Sequence, residues 1–221
     1  MRLLLAEDDA ALSHRLKEDL SQGGFAVDIV DNGVDAEFMG DEIPYDAVVL
    51  DLGLPGRSGL EVLRNWRSRG NKVLVIILTG RDAWFEKVEG FKAGTDDYLA
   101  KPFHVGELIA RINALIRRGK SQAGGHVSVA GLTLDDDRQC VITKEGKTLD
   151  LTGIEFRLLR YFLLHPDVIL SKTRLTEHVY DFDSDKDSNV IEVYINRLRQ
   201  KLGKDLIETR RGQGYVFRVP K

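Results

Sequence analysis

The chain has 221 residues, 43% of them hydrophobic and 30% charged, with a net charge of −3 and a single cysteine. That length suits two domains with packed cores, and no apolar run approaches the ~20 residues of a membrane span. A lone Cys140 excludes a disulfide framework and a cysteine knuckle for zinc, and Met1-Arg2-Leu3 enters a strand pattern instead of a signal peptide, so a cytoplasmic protein is expected.

The first half alternates strand and helix signals. Leu3 to Ala6 is an apolar run, followed by Leu12, Leu16 and Leu20 at helical spacing and by a strand from Ala26 to Val30. Strands expected at 45–50, 73–78 and 98–100 then alternate with helices near 33–39, 59–68, 84–93 and 104–117. This βαβ rhythm forces parallel pairing, with helices on both faces of one sheet.

Chemistry-bearing residues collect where these strands end. Glu7 and Asp8 close the first run, and Asp51 closes Ala47-Val48-Val49-Leu50. A single strand-terminal Asp is usually a cap or turn residue. Here Thr79, Lys101 and Pro102 also follow strand-like segments, and in an open parallel sheet the ligand crevice lies outside the carboxyl ends of the strands. Crowded carboxylates call for a hard cation such as Mg2+, which leaves room for a phosphoryl oxygen, while a hydroxyl and an ammonium supply donors to a phosphorylated Asp51. The Lys101-Pro102 bond can adopt the cis geometry that aims Lys101 inward.

On the order Glu7-Asp8, Asp51, Thr79, Lys101-Pro102, residues 1–117 resemble a receiver domain of two-component signalling. The resemblance implies a doubly wound, five-stranded parallel sheet. It also implies that Asp51 takes a phosphoryl group from a sensor histidine kinase, with Mg2+ held by Asp8, Asp51 and the main-chain oxygen near Gly53, and Glu7 beside them. Thr79 and Tyr98 match the family's switch pair. Phosphorylation in this family drives homodimerisation through the last two helices and the strand between them, and the matching positions are Lys87 with Glu107, Asp96 with Arg111, and Asp97 with Arg118.

Charge changes sign along the chain: residues 1–116 hold 13 Lys and Arg against 20 Asp and Glu, net −7, whereas 117–221 hold 19 against 15, net +4. A polyanion partner therefore belongs to the C-terminal part. The stretch from Arg117 to Gly125 has several glycines and no apolar period, and reads as a solvated linker, assigned to 118–126.

Beyond it, short strands are expected at 127–129, 132–135 and 139–142, followed by a turn at Lys144 to Lys147. Thr152 and Glu155 form a capping box that opens a helix with Ile154, Leu158, Leu159 and Phe162 facing a core, ending at His165-Pro166. A second helix follows Ser171. A third runs from Ser188 to about Leu202, with Ile191, Ile195, Leu198 and Leu202 as its core stripe. Its other faces carry Asn189, Val193, Asn196, Arg197 and Gln200, with Arg199 and Lys201 nearby. Strands at 207–209 and 215–219 flank a tip bearing Arg210 and Arg211.

Three helices and a basic hairpin over 127–219 resemble the winged-helix, α+β DNA-binding domain of the OmpR/PhoB family of response regulators. The resemblance implies that Asn189, Val193, Asn196, Arg197 and Arg199 lie in or beside a major groove of promoter DNA, and that Arg210 and Arg211 reach a minor groove or a phosphate. It further implies direct-repeat half-sites, and RNA polymerase contacts in the loop from Val179 to Asp187. Asp181, Asp183, Asp185, Asp187, Asn189 and Glu192 have calcium-loop spacing, but Lys186 stands where that loop turns on glycine.

Two other readings compete with a phosphorylation-activated transcription regulator. An aspartate-based phosphohydrolase would place a second acid two residues after its nucleophile, where this chain has Gly53. A regulator that binds DNA constitutively would not need the complete acidic pocket. The expectation is a non-enzyme with at most slow self-dephosphorylation.

Overall fold

In the computed structural model, described here for residues 1–80, 84–119, 127–136, 138–180 and 190–219 with main chain alone at 84–87, the chain divides into two compact units. One comprises Arg2–Ser21 and Val27–Ser121, and the other Met1, Gln22–Ala26 and Gln122–Lys221.

Five strands form the first sheet: β1 (Arg2–Ala6), β2 (Ala26–Val30), β3 (Ala47–Asp51), β4 (Val75–Thr79) and β5 (Asp97–Ala100), in the order β2-β1-β3-β4-β5. The β1–β3, β3–β4 and β4–β5 pairs are parallel, and β1, β3 and β4 are near-continuous runs of buried apolar residues, as strands covered on both faces require. Order and alternation together give the doubly wound fold expected of residues 1–117. The connecting helices are α1 (Ala10–Gln22), α2 (Gly33–Glu42), α3 (Gly59–Ser68), α4 (Trp84–Ala93) and α5 (Val105–Gly119). Helix α5 continues two residues into the stretch read as linker.

Local chemistry explains the helix starts. Asn32 caps α2 by accepting from the Asp35 amide, and Ser58 with Glu61 closes a capping box on α3. Trp66 on α3 is fully buried, its indole N–H donates to the Glu37 carbonyl at 3.0 Å, and it fills the space beside Gly40, where a Cβ would lie 2.3 Å from the ring. Trp66→Ala would open a cavity and remove the indole hydrogen bond to that carbonyl. A loss of ~3–5 kcal/mol is expected in urea unfolding monitored by circular dichroism; a loss below ~1 kcal/mol would contradict this packing.

The second unit holds a four-stranded antiparallel sheet, β6 (Ser128–Val129), β7 (Leu132–Asp135), β8 (Cys140–Ile142) and β9 (Thr148–Asp150). Helices α6 (Gly153–Leu163), α7 (Lys172–Val179) and α8 (Val190–Leu202) follow, then the hairpin β10 (Ile207–Arg210) and β11 (Gly214–Phe217). Thr152 and Glu155 make the expected capping box. Ile191, Ile195 and Leu198 of the α8 stripe are buried, together with Phe156, Phe162 and Phe217. Gly214 (φ +133°) is bound to its place: a Cβ there would meet the Leu170 carbonyl oxygen at 2.0 Å, where Leu170 pairs with Tyr215. Helix, helix, helix and wing are therefore present as the sequence pattern implies.

Candidate functional site

Strand register assembles the first site. Ala6 pairs with Leu50, so Glu7 stands level with Asp51; Asp51 pairs with Leu78, the residue before Thr79; Thr79 pairs with Ala100, the residue before Lys101. Residues stepping off four adjacent strand ends thus stand side by side, and three of them, Glu7, Asp51 and Lys101, are in direct contact. The Lys101 ammonium donates to Glu7 Oε2 at 2.6 Å and to Asp51 Oδ2 at 2.9 Å, and the Lys101–Pro102 bond is cis.

Oxygen atoms of Glu7, Asp8 and Asp51 lie within 4.8 Å of one another, Glu7 buried and Asp8 exposed. All are hard carboxylate donors, and a Cβ at Gly53 would only reach ordinary contact with Asp51 Oδ2 at 3.8 Å, so the loop leaves room around the cluster. The donor set fits a small divalent cation. Burial raises the Glu7 carboxyl above its ordinary range despite the Lys101 hydrogen bond, and the neighbouring Asp51 charge adds to the rise. For Lys101, burial opposes the charged form, but hydrogen bonds to Glu7 and Asp51 outweigh it and raise the ammonium.

Thr79 is buried, with its hydroxyl 3.4 Å from the Gly80 carbonyl oxygen. Tyr98 is also turned inward at 8% exposure, packs on Phe91 at 5.3 Å between ring centroids, and runs so close to Gly90 that a Cβ there would fall 1.8 Å from its hydroxyl.

The charged residues expected at a dimer surface are engaged within the chain. Arg111 bonds both Asp97 (3.1 Å) and Glu107 (2.8 Å), Asp96 pairs with Arg67 at 3.3 Å, and Arg118 Nε donates to the Ala114 carbonyl at 3.4 Å. The side chain of Lys87 lies outside the described residues.

In the second unit, Val193 is 48% exposed on α8, with Asn196 and Arg197 exposed beside it and the Arg197 guanidinium 5.2 Å from the Tyr194 ring centroid. Arg210 and Arg211 stand exposed at the hairpin tip, Arg210 paired with Glu208 at 3.0 Å. Arg199 is placed differently: its guanidinium donates to the Ile207 carbonyl at 2.9 and 2.6 Å and to Thr209 Oγ1 at 2.8 Å, fastening α8 to the wing. Lys201 likewise spends its ammonium on Glu155 and the Asp150 carbonyl. Asn189 and the calcium-like run from Asp181 to Asp187 lie outside the described residues.

Sequence reasoning passed over Lys172, exposed in the first turn of α7 and ion-paired with Glu192 of α8. Both line a groove of ≈ 480 Å3 with Arg210 and Arg211. The available signal was Ser171 as an N-cap followed directly by a lysine.

Comparison with known proteins decides the family. Residues 3–113 match the response regulator receiver domain and residues 146–217 the C-terminal domain of transcriptional regulatory proteins. The chain belongs to the OmpR/PhoB family of response regulators. It is 43% identical over 221 residues to the two-component response regulator PhoP of Pseudomonas aeruginosa, covering 98% of each chain. It is 41% identical over 217 residues to the transcriptional regulatory protein QseB of Escherichia coli O157:H7, covering 98% of this chain and 99% of the relative. The receiver domain of the Francisella response regulator 1452 superimposes with a TM-score of 0.52 at 35% identity, covering 53% of this chain and 98% of that one. An OmpR/PhoB-type chain is a two-component transcription regulator with a DNA-binding effector domain, and not an enzyme in the ordinary sense. Its two domains imply a histidine kinase and DNA as partners. Among the described residues, no helix is long and apolar enough to cross a membrane.

Proposed function

We propose that this OmpR/PhoB-type regulator is switched by phosphorylation of Asp51, within a receiver domain of residues 1–117 joined by a linker of 118–126 to a DNA-binding domain of 127–221. The observation that carries the reading is the convergence of Glu7, Asp51 and Lys101 through strand register, with Lys101 2.6 and 2.9 Å from the two carboxylates. An Asp51 carboxylate oxygen attacks the phosphorus of the kinase phosphohistidine. The P–O bond forms as the P–N bond breaks, and the imidazole nitrogen keeps the electron pair. Mg2+ held by Asp8, Asp51 and the Gly53 carbonyl, beside Glu7, would neutralise charge on the transferring group.

Within this chain, Lys101 supplies a donor to the new phosphoryl group and Thr79 a hydroxyl, so the loop after β4 is drawn toward Asp51. Tyr98, packed against Phe91 and Gly90 of α4, transmits the change to the α4–β5–α5 surface. There a homodimer forms, with Lys87, Asp96, Asp97, Glu107, Arg111 and Arg118 setting register; exposed ion pairs contribute only ~0–1 kcal/mol each. Pairing links two DNA-binding domains on direct-repeat promoter sites and raises the effective concentration of the second. Val193, Asn196 and Arg197 face bases, with Asn189 preceding them, while Arg210 and Arg211 engage the backbone or minor groove; Arg199 supports the wing. The loop before α8 meets RNA polymerase, the phosphoryl group is lost by slow self-hydrolysis, and the cytoplasm is the site of action.

One experiment tests pocket and switch together: incubation with acetyl phosphate and Mg2+, followed by intact mass and size-exclusion chromatography with light scattering. One phosphoryl group per chain and a shift to dimer are expected, both requiring Mg2+. Absence of the adduct at saturating reagent overturns the reading.

A further inference from the structure

The loop from Leu52 to Ser58 must present a main-chain oxygen beside Asp51, yet residues 52–54 contribute no polar side chain that would hold it. The loop is fastened instead from α2. The Gly33 amide donates to the Pro55 carbonyl at 3.0 Å, and the Arg57 carbonyl oxygen lies 1.8 Å from where a Gly33 Cβ would be, an approach that only glycine permits. On the next turn of the same helix, Glu37 has a side chain only 9% exposed, and it accepts from Arg57 Nη1 at 2.5 Å, from Arg69 Nη2 at 2.5 Å and from Asn65 Nδ2 at 2.9 Å. One buried carboxylate thus ties the loop, through Arg57, to the C-terminal half of α3, through Asn65 and Arg69. Burial alone would raise the Glu37 carboxyl, but the hydrogen bonds from Asn65, Arg69 and Arg57 prevail and hold it below its ordinary range, so it stays charged at neutral pH. At the other end, the loop is pinned by Gly59, whose amide donates to Leu52 and whose Cβ, if present, would lie 2.1 Å from the Asp51 carbonyl oxygen.

We infer that Glu37, acting through Arg57, is a positioning residue for the cation site: it holds the loop after Asp51 in the shape that presents the Gly53 carbonyl. The inference rests on the reading that Asp51 and its neighbours bind Mg2+. A ligand loop that is ordered before the ion arrives loses less freedom on binding, so affinity rises without any direct contact between Glu37 and the ion. The same tether makes the metal site sensitive to movements of α2, which lies away from the α4–β5–α5 surface.

The test is isothermal titration of Mg2+ into the full, unphosphorylated chain as wild type, Glu37→Gln, Arg57→Met and Arg57→Lys, with Asp51→Asn as control. Arg57→Met leaves the bonds of Glu37 to Asn65 and Arg69 in place and so separates the tether from folding. Glu37→Gln and Arg57→Met are expected to weaken Mg2+ binding by roughly tenfold, the low end of outer-shell effects, while Arg57→Lys stays within about twofold of wild type. Phosphorylation by acetyl phosphate should return to the wild-type rate in all three at saturating Mg2+. Unchanged Mg2+ affinity in Glu37→Gln and Arg57→Met, with wild type binding and Asp51→Asn failing, would overturn the tether and leave the site standing. A rate deficit that saturating Mg2+ does not repair would overturn it too, by showing general damage. Failure of wild type to bind Mg2+ would remove the reading of the site itself.

Discussion

Asp51→Ala chain treated with acetyl phosphate and Mg2+ should gain no phosphoryl group, stay at its untreated oligomeric state, and bind a two-half-site promoter fragment about 100-fold more weakly than treated wild type. The size of the effect follows from linkage: joining two weak DNA-binding modules raises apparent affinity by ~10²–10⁴ without any new contact. The substitution should not unfold the domain. Asp51 stands at the end of β3 rather than in its core, and in its absence Lys101 keeps its 2.6 Å partner Glu7, so no buried charge is left alone. Circular dichroism and the thermal midpoint should therefore stay close to wild type, which makes the loss of activation interpretable. If Asp51→Ala still dimerises on treatment, the trigger lies elsewhere and the pocket is only a structural charge cluster. If it is phosphorylated at another residue yet fails to dimerise, the pocket keeps its role and the adduct is adventitious.

Much of this was legible because parallel sheets write their sites at strand ends. Asp51, Thr79 and Lys101 each follow an apolar run, and parallel pairing sets those strand ends side by side in the sheet. The core stripe of α8 was equally readable, since Ile191, Ile195 and Leu198 obey helical spacing and are buried. What escaped depends on contacts between segments far apart. Strand β9 is three residues long, Thr148–Asp150, with two exposed polar ends and one half-buried Leu149, too short to show a period. Arg197 and Arg199 look equivalent in the sequence, yet they flank buried Leu198 on opposite sides, and only the second comes within reach of the Ile207 carbonyl of the wing. Glu37 was passed over for the same reason: its partners Arg57, Asn65 and Arg69 lie 20, 28 and 32 positions on, and no local pattern announces a buried carboxylate on a surface helix. Charges expected to bridge two protomers also have intrachain partners, because Asp97, Glu107 and Arg111 share one edge of β5 and α5. Dimer formation at that face would exchange existing ion pairs more than create new ones, which fits a surface that sets register and contributes little affinity.

Arg211→Ala should weaken DNA binding about tenfold at low salt and leave phosphorylation and dimerisation untouched. The position argues for a DNA role and against a structural one: Arg211 is exposed at the tip of the β10–β11 hairpin, followed by Gly212 at φ +74°, whereas Arg210 beside it is paired with Glu208 and Arg199 is committed to the hairpin main chain. A cation held out on a turn contributes mainly by displacing condensed counterions, so its loss should flatten the plot of log affinity against log salt by about 0.9. The distribution of the loss over sequences then locates the contact. A uniform fall on every fragment places the guanidinium on a phosphate; a fall confined to fragments with A·T pairs beneath the wing places it in the minor groove. Gel-shift titrations at two salt concentrations, on an A·T-rich and a G·C-rich flank, separate these cases. An unchanged salt slope and unchanged affinity would take the wing off the DNA and leave recognition to α8 alone, and Arg199, which braces the wing against that helix, would then matter only for stability.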